Sequence, residues 1–483
     1  MSYQVPQDYP TLPSMAIPHA LVGDDIKQFK GARNVIKYLP SASGSNVGPN
    51  SSVLFTIPAE PYGYIKPNSM YLRGEFTLTG TPGALGTGTP AGTISDTYVA
   101  FAGNTFGVTG ASLAGATYNG IHGTGGASSL LNRVTLTLPG GCSMSYNQQQ
   151  HFRNAVTPHT LDAAYFGDLR QMEHAGVAWK FTTPVNGTST AQVTVLDKWF
   201  SLPMDIPLLN ADAAFPMLLC SQGINLEIVT SSLTDALFVS GGVITVVAQT
   251  NAIVPPSFTN YALSNLALVY EVIQVTPEFK TALVASKAGN PYVVHVDDRM
   301  VIGPIGISSG SPRLNVGVGL SSLKSVLFTE QLLGGGTLTD PKIYSSNGTL
   351  SYNVYRDGQQ ISIPNTTSDD VAFMEMQRSI GRLNDSQTSS MLQPVAPSAS
   401  NSLRTTYSQY GYLAGCSFQC IDDWSFSAKG AGCDQLAIEL IKGTPDITKW
   451  GVATAVAASN LYIFCMYDAV VVILPDGTCQ IRK

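Results

Sequence analysis

Ser128-Ser-Leu-Leu-Asn-Arg-Val-Thr-Leu-Thr-Leu-Pro-Gly-Gly141 and Ser321-Ser-Leu-Lys-Ser-Val-Leu-Phe-Thr-Glu-Gln-Leu-Leu-Gly-Gly335 are the two stretches on which the fold turns. The first alternates apolar and polar through Val134, Leu136 and Leu138, the period of a strand with one buried face, and closes on Gly140-Gly141. The second opens on the same Ser-Ser-Leu, runs apolar from Leu323 to Leu333 and closes on Gly334-Gly335. A candidate amphipathic helix follows each. Later come Ile224-x-Leu226-Glu227-Ile228 in one half and Leu436-x-Ile438-Glu439-Leu440 in the other, and each half ends on a long strand, Asn265 to Glu271 or Asn460 to Asp468. Each match is weak alone. Their shared order predicts two similar β-domains in tandem.

The length of 483 residues exceeds what one hydrophobic core supports, so two domains of roughly 200 to 250 residues are expected. Hydrophobic residues make up 44%, while charged residues make up 12%, about half the usual share. A surface so poor in charge is weakly protected against association and favours faces covered by partners. A soluble sandwich with a Ser/Thr/Asn/Gly surface has the same composition. The net charge of −6 argues against coating nucleic acid through the bulk surface. One local exception is Lys27, Lys30, Arg33 and Lys37, where Ile26, Phe29 and Ile36 fall near helical spacing behind Asp24 and Asp25. Two readings stay open: a solvated amphipathic arm, or an arm on an inner surface near nucleic acid or a membrane.

Strand signals dominate the rest. Leu350-Ser-Tyr352-Asn-Val354 runs into Asp357-Gly358 and returns through Ile361-Ser-Ile363, a tight-hairpin signature. Tyr462 to Leu474 reaches a turn at Pro475-Asp476-Gly477 and returns through Cys479 and Ile481. Thr160 is positioned to cap a helix with Leu161, Ala164, Tyr165, Leu169 and Met172 on one face, and Ser368 another with Phe373, Met376 and Ile380. Both read as short helices covering a sandwich end. Residues 80–127, rich in Gly and Thr, form either a long surface excursion or flat strands joined by loops. Residues 387–401 pass over the surface, and the domain boundary is placed near residue 280, after Thr276-Pro277-Glu278. The N-terminus has neither a charged nor an apolar leader region, so no signal peptide is read. The sequons at Asn50, Asn186, Asn347, Asn365 and Asn384 then follow from composition. The apolar runs split by Asp468 are of strand length, short of the roughly 20 residues of a membrane helix.

Catalytic constellations are sought and not found. Neither Gly-x-Ser-x-Gly nor a phosphate-binding Gly-Lys-Ser/Thr loop occurs. His295 and Asp297 would share a strand face, but with Asp298 and Arg299 they read as a strand running into a solvated turn. Asp422 and Asp423 are adjacent, and adjacent strand residues point apart, which defeats a glycosidase pair. His151, His159 and His174 match no ligand spacing, and Cys416, Cys420 and Cys433 lack a fourth ligand. Cys220 and Cys465, in apolar runs, are expected as buried thiols, and the seven irregularly spaced cysteines suit a reducing compartment. No catalytic, cofactor or metal residue is assigned.

Taken together these segments resemble the double jelly-roll major capsid proteins of the lineage that includes adenoviruses, tectiviruses, virophages and polinton-like viruses. Phe200-Ser-Leu-Pro-Met-Asp-Ile-Pro-Leu-Leu, then Ala214-Phe-Pro-Met-Leu-Leu and Ile224-Asn-Leu-Glu-Ile, is similar to that family's run of strand, proline turn and long apolar strand. Phe258 to Glu271 looks like the strand closing its first roll, and Ser322-Leu-Lys-Ser-Val-Leu-Phe and Val354-Tyr-Arg-Asp-Gly-Gln-Gln-Ile-Ser-Ile-Pro like segments of its second, with the helix Asp369 to Leu383 next in order. The stretch 80–127 is longer than in many relatives, and Asp357-Gly358 replaces the usual Asn-Gly.

The resemblance implies an all-β chain of two tandem eight-stranded jelly rolls with short helices in loops: an arm over 1–40, a first roll over 41–279 and a second over 280–483. It implies a non-enzymatic major capsid protein whose homotrimers form pseudo-hexagonal capsomers tiling an icosahedral shell around a DNA genome. Its partners would be other copies, penton and minor capsid proteins, and an internal membrane or the genome beneath. It would be made in the host cytoplasm or nucleus and reside in the virion, with Lys27, Lys30, Arg33 and Lys37 on the inner face. The competing reading is a β-sandwich adhesin or fibre-type glycan-binding protein.

Overall fold

The computed structural model describes residues 32–42, 46–81, 97–101, 105–106, 122–123, 126–160, 179–182, 192–195, 199–211, 213–240, 257–308, 310–332, 344–363, 369–381, 412–419, 430–443 and 458–483. In the first half the strands that position the site are β1 (Arg33–Pro40), β2 (Ser52–Ile57), β3 (Tyr71–Thr81), β4 (Leu131–Thr137), β5 (Ser143–Tyr146), β6 (Trp199–Pro203), β7 (Ile224–Thr230) and β8 (Ser257–Gln274). The second half contributes β9 (Tyr292–Ile307), β10 (Arg313–Leu332), β11 (Thr349–Arg356), β12 (Ala414–Ser417), β13 (Ala431–Lys442), β14 (Ser459–Ile473) and β15 (Cys479–Arg482). Among the helices between them are α1 (Gln149–Ala155), α2 (Pro277–Lys287) and α3 (Asp369–Ser379).

In the first half β1, β8, β3 and β6 pair in that order as one antiparallel sheet, and β2, β7, β4 and β5 as another. Sheet neighbours come mostly from opposite ends of the segment, so the chain keeps crossing between two facing sheets, which is jelly-roll order. Alternation drives this arrangement. Phe55, Ile57, Val134, Leu136, Leu226 and Ile228 on one sheet meet Leu72, Leu202, Leu268 and Tyr270 on the other in a shared core. Each such side chain, fully buried, stabilises by roughly 1.5–3 kcal/mol. A further four-stranded sheet, Gln192–Val195, Trp179–Thr182, Thr97–Phe101 and Leu237–Ser240, uses part of the Gly/Thr-rich stretch as strand.

The second half hydrogen-bonds continuously through nine strands, yet it repeats the same order. Strand β10 is 20 residues long and serves two sheets. Its beginning pairs with β13, Arg313 opposite Glu439 through Gly317 opposite Gln435, and its end pairs with β14, Leu323 opposite Tyr467 through Leu332 opposite Ser459. Between the two the register shifts, and Gly319 there takes φ of +57°, a conformation glycine adopts without steric cost. One sheet is therefore β9, β14, late β10 and β12, and the other is early β10, β13, β11 and Gln359–Gln360. These match β1-β8-β3-β6 and β2-β7-β4-β5, with β10 standing for both β2 and β3. The fold is all-β, a double jelly roll.

Helix α3 buries Ala372 and Met376 and packs Phe373 and Ile380 on the second core, the stripe the spacing predicts. It ends at Ser379, ahead of the expected Leu383, where Gly381 turns the chain at φ of +76°. The helix expected over Leu161 to Met172 lies outside the described residues. Helix α1, just before it, stands between β5 and β6 as α3 stands between Gln359–Gln360 and β12. Helix α2 starts on a capping signal of its own: Thr276 Oγ1 accepts from Phe279 N at 3.3 Å and Pro277 occupies the first turn.

Two expectations need correction here. Arg33–Pro40 is a strand paired along its length with β8, from Arg33 opposite Gln274 to Pro40 opposite Ala267, so helical spacing misled over residues 33–37. The arm drawn to residue 40 accordingly gives up its last eight residues to the first roll. The reason is tertiary: β8 offers an unpaired edge, and a row of backbone hydrogen bonds outweighs a weak helical pattern.

Candidate functional site

Strand β1 is the outer edge of its sheet, and its alternation separates two faces. Val35, Lys37 and Leu39 turn inward, while Ile36 at 70% and Tyr38 at 62% exposure turn out. Register carries that outer face across the sheet: Tyr38 lies opposite Val269, Val269 opposite Tyr71, and Tyr71 opposite Pro203. One step along, Pro40, Ala267, Arg73 and Ser201 align, and Arg73 lies 5.0 Å over the ring of exposed Trp199. Ala267 and Val269 are buried on this face and belong to neither core. A belt of Ile36, Tyr38, Tyr71 and Trp199 is the composition that protein interfaces favour. Its sequence signal lies in Ile36 and Tyr38, two residues apart as on one face of a strand; the helical spacing of Ile26, Phe29 and Ile36 hides it.

The cationic residues predicted for this region divide. Arg33 Nε donates to Gln274 Oε1 at 2.9 Å, and Lys37 pairs with Glu60 at 2.7 Å. Lys27 and Lys30 lie outside the described residues.

The joint between the rolls is built on α1, every residue of which is buried. His151 Nδ1 lies 2.9 Å from the Tyr344 hydroxyl and stacks on Tyr462 at 4.0 Å, and Phe152 meets Phe464 edge-on at 5.7 Å. From the other side, Arg299 of β9 reaches into the first roll. Its guanidinium binds the Asp205 carboxylate at 2.8 Å, donates to Asp205 O at 2.8 Å and Gln149 Oε1 at 3.3 Å, and sits 3.9 Å from the Phe152 ring centre. A buried guanidinium is tolerable there because its charge is paired and its donors are used. Beside it Asp298 accepts from the Tyr467 hydroxyl at 2.6 Å, and burial together with that carboxylate pushes the phenol well up.

The carboxy-terminal hairpin makes a second tie. Val471, Ile473 and Cys479 pack in the first core beside Tyr292, Val294 and Val296. Cys479 N donates to Pro139 O at 2.7 Å and Ser221 N to Gly477 O at 3.0 Å.

Residues singled out for chemistry are dispersed. His295 and Asp297 do share the exposed face of β9, and Lys324 pairs with Asp297 at 2.8 Å. The expected solvated turn does not follow, because β14 supplies a partner through Ile307, and Asp298 and Arg299 are buried in the joint. His151 and His159 are buried and His174 lies outside the described residues. Among the described residues no group of three His, Cys, Asp or Glu is placed to hold a metal. Burial pushes the Cys416 thiol up to about 12 and the Cys433 thiol to about 11, while Cys420, Asp422 and Asp423 lie outside. Cys465 is buried as expected, but Cys220 is only half-buried because it borders the carboxy-terminal hairpin. The Asn347 side chain is buried and donates to Glu330 at 3.0 Å, so that sequon is a structural asparagine.

Comparison with solved structures places the fold. Over 94% of this chain and 89% of the other it is similar to a chain of the Sputnik virophage, with a TM-score of 0.56 at 12% identity. It is similar to VP54 of PBCV-1, fitted into the virophage Sputnik, over 94% and 97% of the two chains, with a TM-score of 0.51 at 13% identity. It is similar to the Faustovirus major capsid protein over 92% and 90%, with a TM-score of 0.53 at 8% identity. No family model and no curated protein matches the sequence.

Proposed function

We propose that this double jelly-roll chain is a viral major capsid protein whose homotrimers form pseudo-hexagonal capsomers and tile an icosahedral shell around a DNA genome. The observation that carries it is the duplication itself: two rolls of one strand order, locked by a buried joint, in a chain that shares this fold nearly end to end with capsid proteins. Two similar rolls in each of three chains give six similar edges, and such a unit extends by heterologous contacts into a hexagonal lattice. The units are an arm ahead of residue 33, a first roll to residue 279 and a second from 280. The belt of Ile36, Tyr38, Tyr71 and Trp199 serves as a contact between copies. Penton and minor capsid proteins close the shell, and Lys27 and Lys30 face the genome or an internal membrane. The chain is made in the host cytoplasm or nucleus, resides in the virion and has no catalytic task.

Sizing of the purified protein with electron micrographs tests this. The expected species is a trimer, three times 51.1 kDa, or shell fragments with pseudo-hexagonal units. A stable dilute monomer that never forms such units would overturn it.

A further inference from the structure

Four strands of the second roll meet at one buried polar site. Glu330 lies late in β10, Asn347 in the turn before β11, Lys442 at the end of β13 and Ser459 at the start of β14. Asn347 is fully buried, and the Glu330 and Lys442 side chains are 2% exposed. Among the described residues no other lysine in an ion pair is so enclosed. Three donors converge on the single oxygen Glu330 Oε2: Lys442 Nζ, Asn347 Nδ2 at 3.0 Å and Ser459 Oγ at 2.7 Å. Thr349 Oγ1 holds the other carboxylate oxygen at 3.0 Å. Lys442 Nζ also reaches Asn347 O at 3.5 Å, so it is bonded both to the asparagine and to the oxygen that holds its amide. The backbone fixes this approach, with Thr349 opposite Lys442 and Gly443 N donating to Gly348 O at 3.0 Å. An ion pair alone requires no amide. Here an amine, a side-chain amide and a carboxylate touching both are closed off from water together.

We propose that Lys442 and Asn347 join through an intramolecular isopeptide bond, with Glu330 as the proton carrier. A proton passes from Lys442 Nζ to Glu330 Oε2 along the hydrogen bond between them, leaving a neutral amine. The amine lone pair attacks Asn347 Cγ, and the carbonyl π pair moves onto Oδ1. A second proton from Nζ and the one on Glu330 go to the amide nitrogen by way of Oε2, the atom that touches both nitrogens. The carbonyl re-forms, the Cγ–Nδ2 bond breaks with its electron pair on nitrogen, and the nitrogen leaves as ammonium. One C–N bond replaces another, Glu330 returns to a carboxylate, and nothing is oxidised or reduced. Folding supplies the proximity that a free lysine and a free amide lack in water, and the closed site keeps water from competing for the carbon. The two residues are 95 apart in sequence, so the bond closes a long loop, ties the start of β11 to the end of β13 and constrains the unfolded chain. The inference does not depend on the shell reading, since a monomer of this fold would form the same bond.

Mass spectrometry of the full-length protein, held folded until its intact mass is constant and then denatured and digested with trypsin, tests it. The expected intact mass is one ammonia below that of the sequence, with a branched peptide joining residues 343–356 to 430–449 and no cut after Lys442. E330Q, shown to be folded by its β-sheet circular dichroism, should keep the full mass and yield 343–356 and 430–442 as separate peptides; N347A should likewise show no branch. Separate peptides from the wild type would overturn the proposal. So would loss of ammonia without a branch, the mark of a succinimide at Asn347-Gly348, or a branch that joins two chains. A branched peptide from E330Q would overturn the role given to Glu330. The wild-type map decides the bond even if a variant fails to fold.

Discussion

Glu330 shows how a single residue can hold a roll together. From β10 it accepts Thr349 Oγ1 at 3.0 Å, Asn347 Nδ2 at 3.0 Å and Ser459 Oγ at 2.7 Å, and it pairs with Lys442, both side chains being 2% exposed. Strands β10, β11, β13 and β14 thereby meet on one carboxylate. Glu330→Ala leaves the Lys442 ammonium buried without its partner, and should cost about 3–5 kcal/mol, read as a lowered denaturation midpoint. Glu330→Leu with Lys442→Met removes both charges and should recover only the part owed to the unpaired ammonium, since Asn347, Thr349 and Ser459 still lose their acceptor. At the same scale Glu227 and Glu439 record the duplication. Glu227 on β7 accepts Ser52 Oγ at 2.8 Å and lies 3.4 Å from Arg133, on the strands to either side; Glu439 on β13 accepts Asn353 Nδ2 at 3.1 Å and the Tyr355 hydroxyl at 2.8 Å from β11. The shared Leu/Ile-x-Leu/Ile-Glu pattern thus marks one structural position twice.

At the scale of elements, three of the sequence echoes fall differently. The segments around Glu227 and Glu439 occupy equivalent strands, and so do Asn265 to Glu271 in β8 and Asn460 to Asp468 in β14. The Ser-Ser-Leu echo does not: Leu131–Thr137 is the third strand of its sheet, equivalent to β11, whereas Leu323 opens the late part of β10. Alternation says that a segment is a strand and which face it buries. It is silent on which strand lies beside it, because partners are chosen by long-range contact.

The Pro475–Thr478 turn yields a pH prediction at this scale. Asp476 Oδ1 accepts from Thr478 N at 2.9 Å and Thr478 Oγ1 at 2.7 Å, and these bonds, the backbone one first, hold its carboxyl below the ordinary value. A carboxylate depressed in the folded state contributes above its unfolded value, and that contribution is lost as pH falls through the folded one. Acidification should therefore speed amide exchange at Thr478 and Cys479 beyond the intrinsic pH effect, and Asp476→Asn should flatten that dependence while Glu278→Gln leaves it unchanged.

For the whole molecule, the outward apolar belt and the joint matter more than any cluster of reactive groups. Ile36 and Tyr38 stand in solvent in the single chain, so replacing both with serine should shift its own stability by no more than about 0.5 kcal/mol. If the belt is a contact between copies, the same change should weaken association by about 30-fold or more, the value of a 2 kcal/mol anchor, measured by sedimentation across a concentration series. Unchanged association would move the contact elsewhere on the rolls. The candidate surface is only partly legible in the sequence: its cations stand out, but Arg33 and Lys37 are taken by Gln274 and Glu60, and the exposed side chains of Ile36 and Tyr38 carry the feature.

By itself the sequence determined that the chain is all-β, that it is built twice over, that Phe373, Met376 and Ile380 line a helix, and that Val134, Leu136 and Leu138 enter a core. Those properties are local, set by the two-residue period of a strand, the helical period and the apolar composition of short segments. Tertiary structure alone decided that β1 is an edge strand and not a helix, that β10 bends at Gly319 to serve two sheets, that α1 and Arg299 lock the rolls together, and that the last hairpin crosses back to the first core. Each of these depends on an edge, a cavity or a charge contributed from far along the chain, and no local pattern encodes a partner it cannot reach.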